Sequence, residues 1–105
     1  MPAASSRVRL DLNSPEFQDV FLRLEGPALK QVVGSLQRLR GLDWNAVYRH
    51  PGFKWEEAIR HIRTPNGATA YSLRLSEKIR AIAYRDGDFL RIISLHPDHD
   101  SAYGR

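Results

Sequence analysis

Three features of the sequence predict an α+β domain, with an N-terminal strand and an antiparallel helix hairpin packed on a small twisted, mainly antiparallel sheet. Val8, Leu10 and Leu12 alternate with Arg7, Arg9 and Asp11, the period of a half-buried strand. Two stripes then follow at helical spacing, Phe17, Val20, Phe21 and Leu24, and after them Leu29, Val32, Val33, Leu36 and Leu39. From Tyr71 onward, alternating runs flank an Asp86-Gly87 dipeptide, the signature of strands joined by a tight hairpin.

Each element has its own local signals. Residues 1–6 are small and polar and are expected to be disordered, leaving 7–105 as one domain. Ser14 is placed to cap the first helix, with Pro15 at its first position and Glu16 favoured by the helix dipole. Gly26-Pro27 breaks that helix, and Gly41 stops the second. Asp43 to Tyr48 reads as a single capped turn, and His50-Pro51-Gly52 as loop. Trp55, Ala58, Ile59 and Ile62 are spaced for a short helix, with a strand as the other reading. Thr64-Pro65-Asn66-Gly67 is a turn.

A type I′ turn at Asp86-Gly87 pairs Tyr84 with Phe89, Ala83 with Leu90, Ala81 with Ile92 and Arg80 with Ile93. Ile79, Ala81, Ala83, Leu90 and Ile92 then form one apolar face for the helices. Arg80, Ile82, Tyr84, Phe89, Arg91 and Ile93 look outward. For the preceding strand, an odd loop at Ser76-Glu77-Lys78 keeps Tyr71, Leu73 and Leu75 in the core. An even loop would bury Arg74 unpaired, at several kcal/mol. The odd register sets Arg74 directly opposite Arg80, with Arg91 one strand away on the same face. Like charges so placed destabilise a ladder by about 0.2–1 kcal/mol, which an anion between them would offset.

The totals narrow the function. With 105 residues there is room for one modest core. The N-terminus has no apolar segment of signal-peptide type, and no run approaches a membrane span, so a cytoplasmic protein is expected. Zero cysteines exclude disulfides and thiolate metal sites. A net charge of +4, carried by thirteen arginines against three lysines, favours polyanionic partners. Arginine's planar fork binds phosphate through two hydrogen bonds and stacks on bases.

The chemistry-bearing residues gather after the last strand, in His96-Pro97-Asp98-His99-Asp100-Ser101-Ala102-Tyr103. Two imidazoles with flanking carboxylates suit zinc by type, but the segment lacks the helical frame of a metalloprotease and the proline spoils regular geometry. No G-x-S-x-G elbow supports a serine triad. Metal-free RNA cleavage fits better. It needs a base for the attacking 2′-hydroxyl, an acid for the leaving 5′-oxygen, and cations for the phosphorane. Arg80, His96, His99 and Tyr103 are the catalytic candidates on that reading; Arg74, Arg91 and Lys54 are the substrate-binding ones. His50 and Arg49 would extend the binding rim. His61 and Arg63 read as surface, and Trp44 and Trp55 as core or partner-contact residues.

The order strand, helix hairpin, meander, with YSLRLSEKIRAIAYRDGDFLRIISLHPDHDSAY as the meander, resembles the RelE/ParE superfamily of toxins from type II toxin–antitoxin systems. Lys78-Ile79-Arg80-Ala81-Ile82-Ala83-Tyr84 looks like that family's central strand, and Ile92-Ile93-Ser94-Leu95 with its polar tail like its last strand. The resemblance implies a bacterial mRNA endoribonuclease acting on the ribosome, without cofactor, held by a cognate antitoxin protein. Arg80 matches the phosphate-contacting arginine and Tyr103 the C-terminal tyrosine; His96 or His99 stands where a basic residue often precedes that tyrosine. Ser72 and Arg74 replace the lysines of the RelE branch, and the tail carries acids where that branch is basic. A ParE-like gyrase inhibitor, or a non-catalytic nucleic-acid-binding module, are the other readings of the same scaffold.

Overall fold

Gly87 is where the meander reverses. In the computed structural model, which describes residues 6–58 and 62–97, Gly87 has φ +61° and Asp86 stays extended within its strand. The two-residue turn is therefore Gly87-Asp88, one step later than Asp86-Gly87. A type I′ turn needs positive φ at both central residues, whereas type II′ needs it only at the first, where glycine adopts it without strain. The pairing moves accordingly: Tyr84 faces Arg91 and Ala83 faces Ile92. A two-residue slide keeps every side chain on its expected face.

Eight elements follow in order: β1 (Arg9–Asp11), α1 (Pro15–Phe21), α2 (Gly26–Arg40), α3 (Trp44–Arg49), β2 (Glu56–Glu57), β3 (Tyr71–Arg74), β4 (Arg80–Asp86) and β5 (Phe89–His96). The strands form one sheet in the order β1-β5-β4-β3-β2. β1 runs parallel to β5 and every other pair is antiparallel. The fold is α+β, with the strand, helices and meander in the expected order.

Beyond the turn, the β4–β5 ladder contains a bulge that strict alternation does not foresee. Ala83 pairs with Ile92 but Ile82 pairs with Ser94, so Ile93 is the extra residue. The bulge reverses the phase of β5. Leu90, Ile92 and Leu95 all face the helices, and Ser94 and His96 face the other way. Arg80 thus sits opposite His96, not Ile93. Ser14 secures the bulge: its hydroxyl donates to the Ile93 carbonyl at 2.6 Å and makes no side-chain cap on α1.

The core lies between the sheet and the helices. Phe17 of α1, Val32, Leu36 and Leu39 of α2, and Trp44 and Val47 of α3 meet Leu73, Ile79, Ala81, Ala83, Leu90 and Ile92. The two alanines of β4 leave room for the bulky helix side chains. Asp43 caps α3 as expected, accepting from the Ala46 N–H at 2.7 Å. Gly41 ends α2 in the right-handed region, so it acts without left-handed geometry. Ser6, grouped by sequence with the frayed terminus, accepts a backbone hydrogen bond from Trp44 at 2.9 Å.

The segment after Trp55 is a correction. Its apolar spacing suggests a helix, but Glu56 and Glu57 form an edge strand on β3, continued by a bond from Ala58 N–H to the Ala70 carbonyl. Trp55 stacks on Tyr71 at 4.7 Å and meets Trp44 edge-on at 5.6 Å. Those ring contacts and the free edge of β3 override a weak local periodicity.

Candidate functional site

The odd loop at Ser76-Glu77-Lys78 is present, and it brings the arginines together as expected. Arg74 is the cross-strand partner of Arg80, and Arg80 is the partner of His96. Directly paired residues share a face. A row Arg74–Arg80–His96 therefore crosses β3, β4 and β5 on the side away from the helices, spanning about 10 Å at the usual strand spacing. Beside it runs a second row, Glu56–Ser72–Ile82–Ser94, across four strands.

This face is more enclosed at its centre than a solvent-facing surface would be. Arg80 is 9% exposed and Ile82 2%, although Ile82 lies outside the helix-side core. Ser94 Oγ lies 2.9 Å from His96 Nε2, which fixes the imidazole beside Arg80. Arg74 turns its Nε to the Ser76 carbonyl at 3.3 Å. Ser72 Oγ is buried and, among the described residues, has no hydrogen-bond partner. A buried hydroxyl left so is destabilising by about 1–3 kcal/mol, a cost that a water or a ligand at this face would offset.

Lys54 lies where the expected binding rim begins. It is exposed and holds φ +48°, uncommon for a residue with a side chain. The carbonyl of Phe53 before it accepts from Arg74 N–H at 2.6 Å, so the Lys54 loop runs alongside the arginine row. His50 Nδ1 accepts from Gly52 N–H at 3.0 Å, and its ring packs on Phe53 at 4.6 Å. His50, Arg38 and Arg74 line a recess of about 260 Å³ at this end of the sheet.

Arg91 does not join the row. It faces Tyr84, four residues along β4 from Arg80, a separation of about 13 Å. Its Nη1 meets Asp11 at 2.6 Å and its Nε meets Asp86 at 2.9 Å. It remains one strand from β4 on the same face, as the sequence reading had it, but the slide and the bulge set it farther from Arg80 than that reading placed it, and its charge is matched by two carboxylates. The Arg91 hydrogen bond holds the Asp11 carboxyl below the usual carboxylate range, and burial pushes the nearby Tyr84 phenol up. A carboxyl lowered on folding stabilises above its unfolded pKa, and that contribution is lost as pH falls through the folded value. Asp11→Asn should accordingly flatten the loss of stability with acid, read as urea midpoints between about pH 5 and pH 2. An unchanged acid slope would show the pair to be energetically silent.

His99 and Tyr103 lie outside the described residues, as do Asp98, Asp100 and His61. Among the described residues no cluster of three or more potential metal ligands occurs, and no helix is long and apolar enough to cross a membrane. The residue the sequence reading missed is Glu56. Once the segment is a strand, pairing with Ser72 puts its carboxylate on the face that carries Arg80 and His96. No alternation marks it, because Glu57 on the opposite face is polar too and the apolar residues around the pair keep helical spacing.

No family model and no curated protein matches the sequence. Among solved structures, the chain is similar to the YoeB dimer from Staphylococcus aureus, with 16% identity, 85% of this chain and 94% of that one covered, and a TM-score of 0.47. It is also similar to a copper-bound mutant toxin from Helicobacter pylori, with 14% identity, 91% and 97% covered, and a TM-score of 0.43.

Proposed function

We propose that the chain is a toxin of RelE/ParE type that cleaves mRNA on the ribosome, and that a cognate antitoxin restrains it. The observation carrying this reading is the Arg74–Arg80–His96 row, with Glu56 and an unmatched Ser72 hydroxyl in the row beside it. Glu56 and His96 stand on strands separated by three spacings, about 14 Å, which leaves room for a phosphodiester once both side chains reach inward.

The chemistry assigns itself by charge. Glu56 takes the proton of the 2′-hydroxyl as that oxygen attacks phosphorus. Arg80, flanked by Arg74, holds the negative charge that develops on the phosphorane oxygens. His96, steadied by Ser94, gives a proton to the departing 5′-oxygen. The P–O5′ bond breaks, a 2′,3′-cyclic phosphate remains, and the base and acid end with exchanged protonation states. Lys54 extends the cationic rim along the flanking strand of RNA, with the His50 ring beside it.

The test is cleavage of mRNA on translating ribosomes, mapped by primer extension. Wild-type protein should give discrete cuts with cyclic phosphate ends. Glu56→Gln and His96→Gln should each slow cutting by about 10²–10⁴-fold while leaving the circular dichroism spectrum intact. Intact mRNA accompanied by DNA damage would place the protein with gyrase inhibitors instead. Intact mRNA without DNA damage, but with RNA bound, would leave a binding module.

A further inference from the structure

A cavity of about 460 Å³ opens between Pro15, at the start of α1, and Pro65, in the turn before β3. Tyr84, Arg91 and Ile93 line it from the sheet, and the exposed Asn13 and Arg63 stand at its mouth. Tyr84 is four residues along β4 from Arg80, so the cavity and the arginine row share one face, about 13 Å apart. Arg91 does not offer the cavity a free cation. Asp11 and Asp86 hold its guanidinium at Nη1 and Nε, and Phe89 lies against it at 4.6 Å. The result is a flat group of matched charge, fixed in orientation and covered by a ring on one face. Tyr84 is 6% exposed, and its hydroxyl has no hydrogen-bond partner among the described residues. Burial raises its pKa, so the phenol stays protonated and remains a donor.

We propose that this cavity seats one nucleobase of the RNA strand held by the arginine row, on the 3′ side of the cut. The inference rests on the cleavage reading for its polarity. His96 serves the departing 5′-oxygen from β5, and the cavity lies over β4, β5 and β1, on that side of the row. Three features favour a base over a phosphate or an apolar side chain. The charge of Arg91 is already matched, so it exerts little pull on a phosphate, and Arg63 at the mouth is left to meet the backbone of the same nucleotide. Unstacked RNA bases settle on guanidinium planes of this kind. An apolar group would leave the Tyr84 hydroxyl unmatched, whereas the edge of a base carries acceptors for it. The Asn13 carboxamide offers both a donor and an acceptor, so it can complete that edge and choose among bases.

Fluorescence anisotropy of the full chain with a labelled 2′-O-methyl hexanucleotide, which cannot be cut, tests this. The probe is compared with versions that carry an abasic nucleotide at each position in turn, which keeps the backbone charge constant. One abasic position, 3′ of the cut made in the same sequence on the ribosome, should weaken binding about tenfold. Asn13→Trp fills the mouth of the cavity; residue 13 is exposed and its backbone N–H still donates to Asp11, so the circular dichroism spectrum should not change. In that variant the intact probe should bind as weakly as the abasic one, and removing the base should alter affinity by less than about twofold. Tyr84→Phe should weaken the intact probe about threefold and leave the abasic one unchanged. Absence of probe binding, equal affinity for every abasic version, or a penalty that survives in both variants would overturn the proposal. Binding of N-acetyl-tryptophanamide that Asn13→Trp abolishes, with no abasic penalty, would instead assign the cavity to a partner's side chain. Cut mRNA without base dependence would remove this inference and keep the cleavage reading. A penalty lost in Asn13→Trp, in a protein that never cuts mRNA, would keep the base in the cavity and remove the cleavage reading with its polarity.

Discussion

Arg80→Gln is expected to reduce mRNA cleavage by about 10²–10³-fold, the size of effect seen when one preorganised donor to a developing oxyanion is removed. The fold should survive the change. Arg80 is buried to 9% exposure and stands opposite a second arginine, an arrangement that burdens the sheet. Facing like charges destabilise a ladder by about 0.2–1 kcal/mol, and glutamine removes that repulsion. The circular dichroism spectrum should therefore remain that of the folded chain while activity collapses. Cleavage within about threefold of wild type would remove Arg80 from the phosphate site, since no transition-state contact of the proposed kind is worth so little.

Trp44→Ala should have the largest effect on stability, a loss of about 3–5 kcal/mol. Domains of this size are typically stable by about 5–15 kcal/mol, so the variant would keep a fraction of its margin and melt about 15–30 °C lower. Trp44 is 1% exposed and joins parts of the chain that are far apart in sequence. Its ring meets Trp55 at 5.6 Å and Tyr48 at 5.7 Å, and the Arg85 guanidinium lies over it at 4.5 Å. Its indole N–H donates to the Asp88 carbonyl in the hairpin turn at 3.0 Å. Trp44→Phe separates the contributions. It keeps most of the buried ring and deletes one hydrogen bond, and the Asp88 carbonyl still accepts from Arg9 N–H at 3.0 Å. A loss of about 1 kcal/mol is expected there. Equal losses in the two variants would mean that the N–H, and not the packing, holds the turn to α3.

The sequence determined the class of fold and half of the candidate site, because those depend on short-range periodicity. Alternation at residues 8–12, helical spacing at 17–24 and 29–39, and the cost of burying Arg74 together placed the strand, the helices and the Arg74–Arg80 pair. The local signals ended where pairing had to be counted across strands. Within the hairpin turn the positive φ falls on Gly87, which moved the turn by one residue, and the Ile93 bulge reversed β5 so that Leu95 entered the core and His96 came to Arg80. A trace of this was visible: strict alternation would have buried Ser94 and His96 on the helix side with Ile92, and two polar residues in succession there argue for a phase change. Glu56 required more, because the free edge of β3 and the stacking of Trp55 on Tyr71 decided strand over helix. Those contacts are long-range in sequence, so only the folded chain brings the carboxylate and the imidazole to one face; side-chain period is local, but register is set by what packs on either side of the sheet.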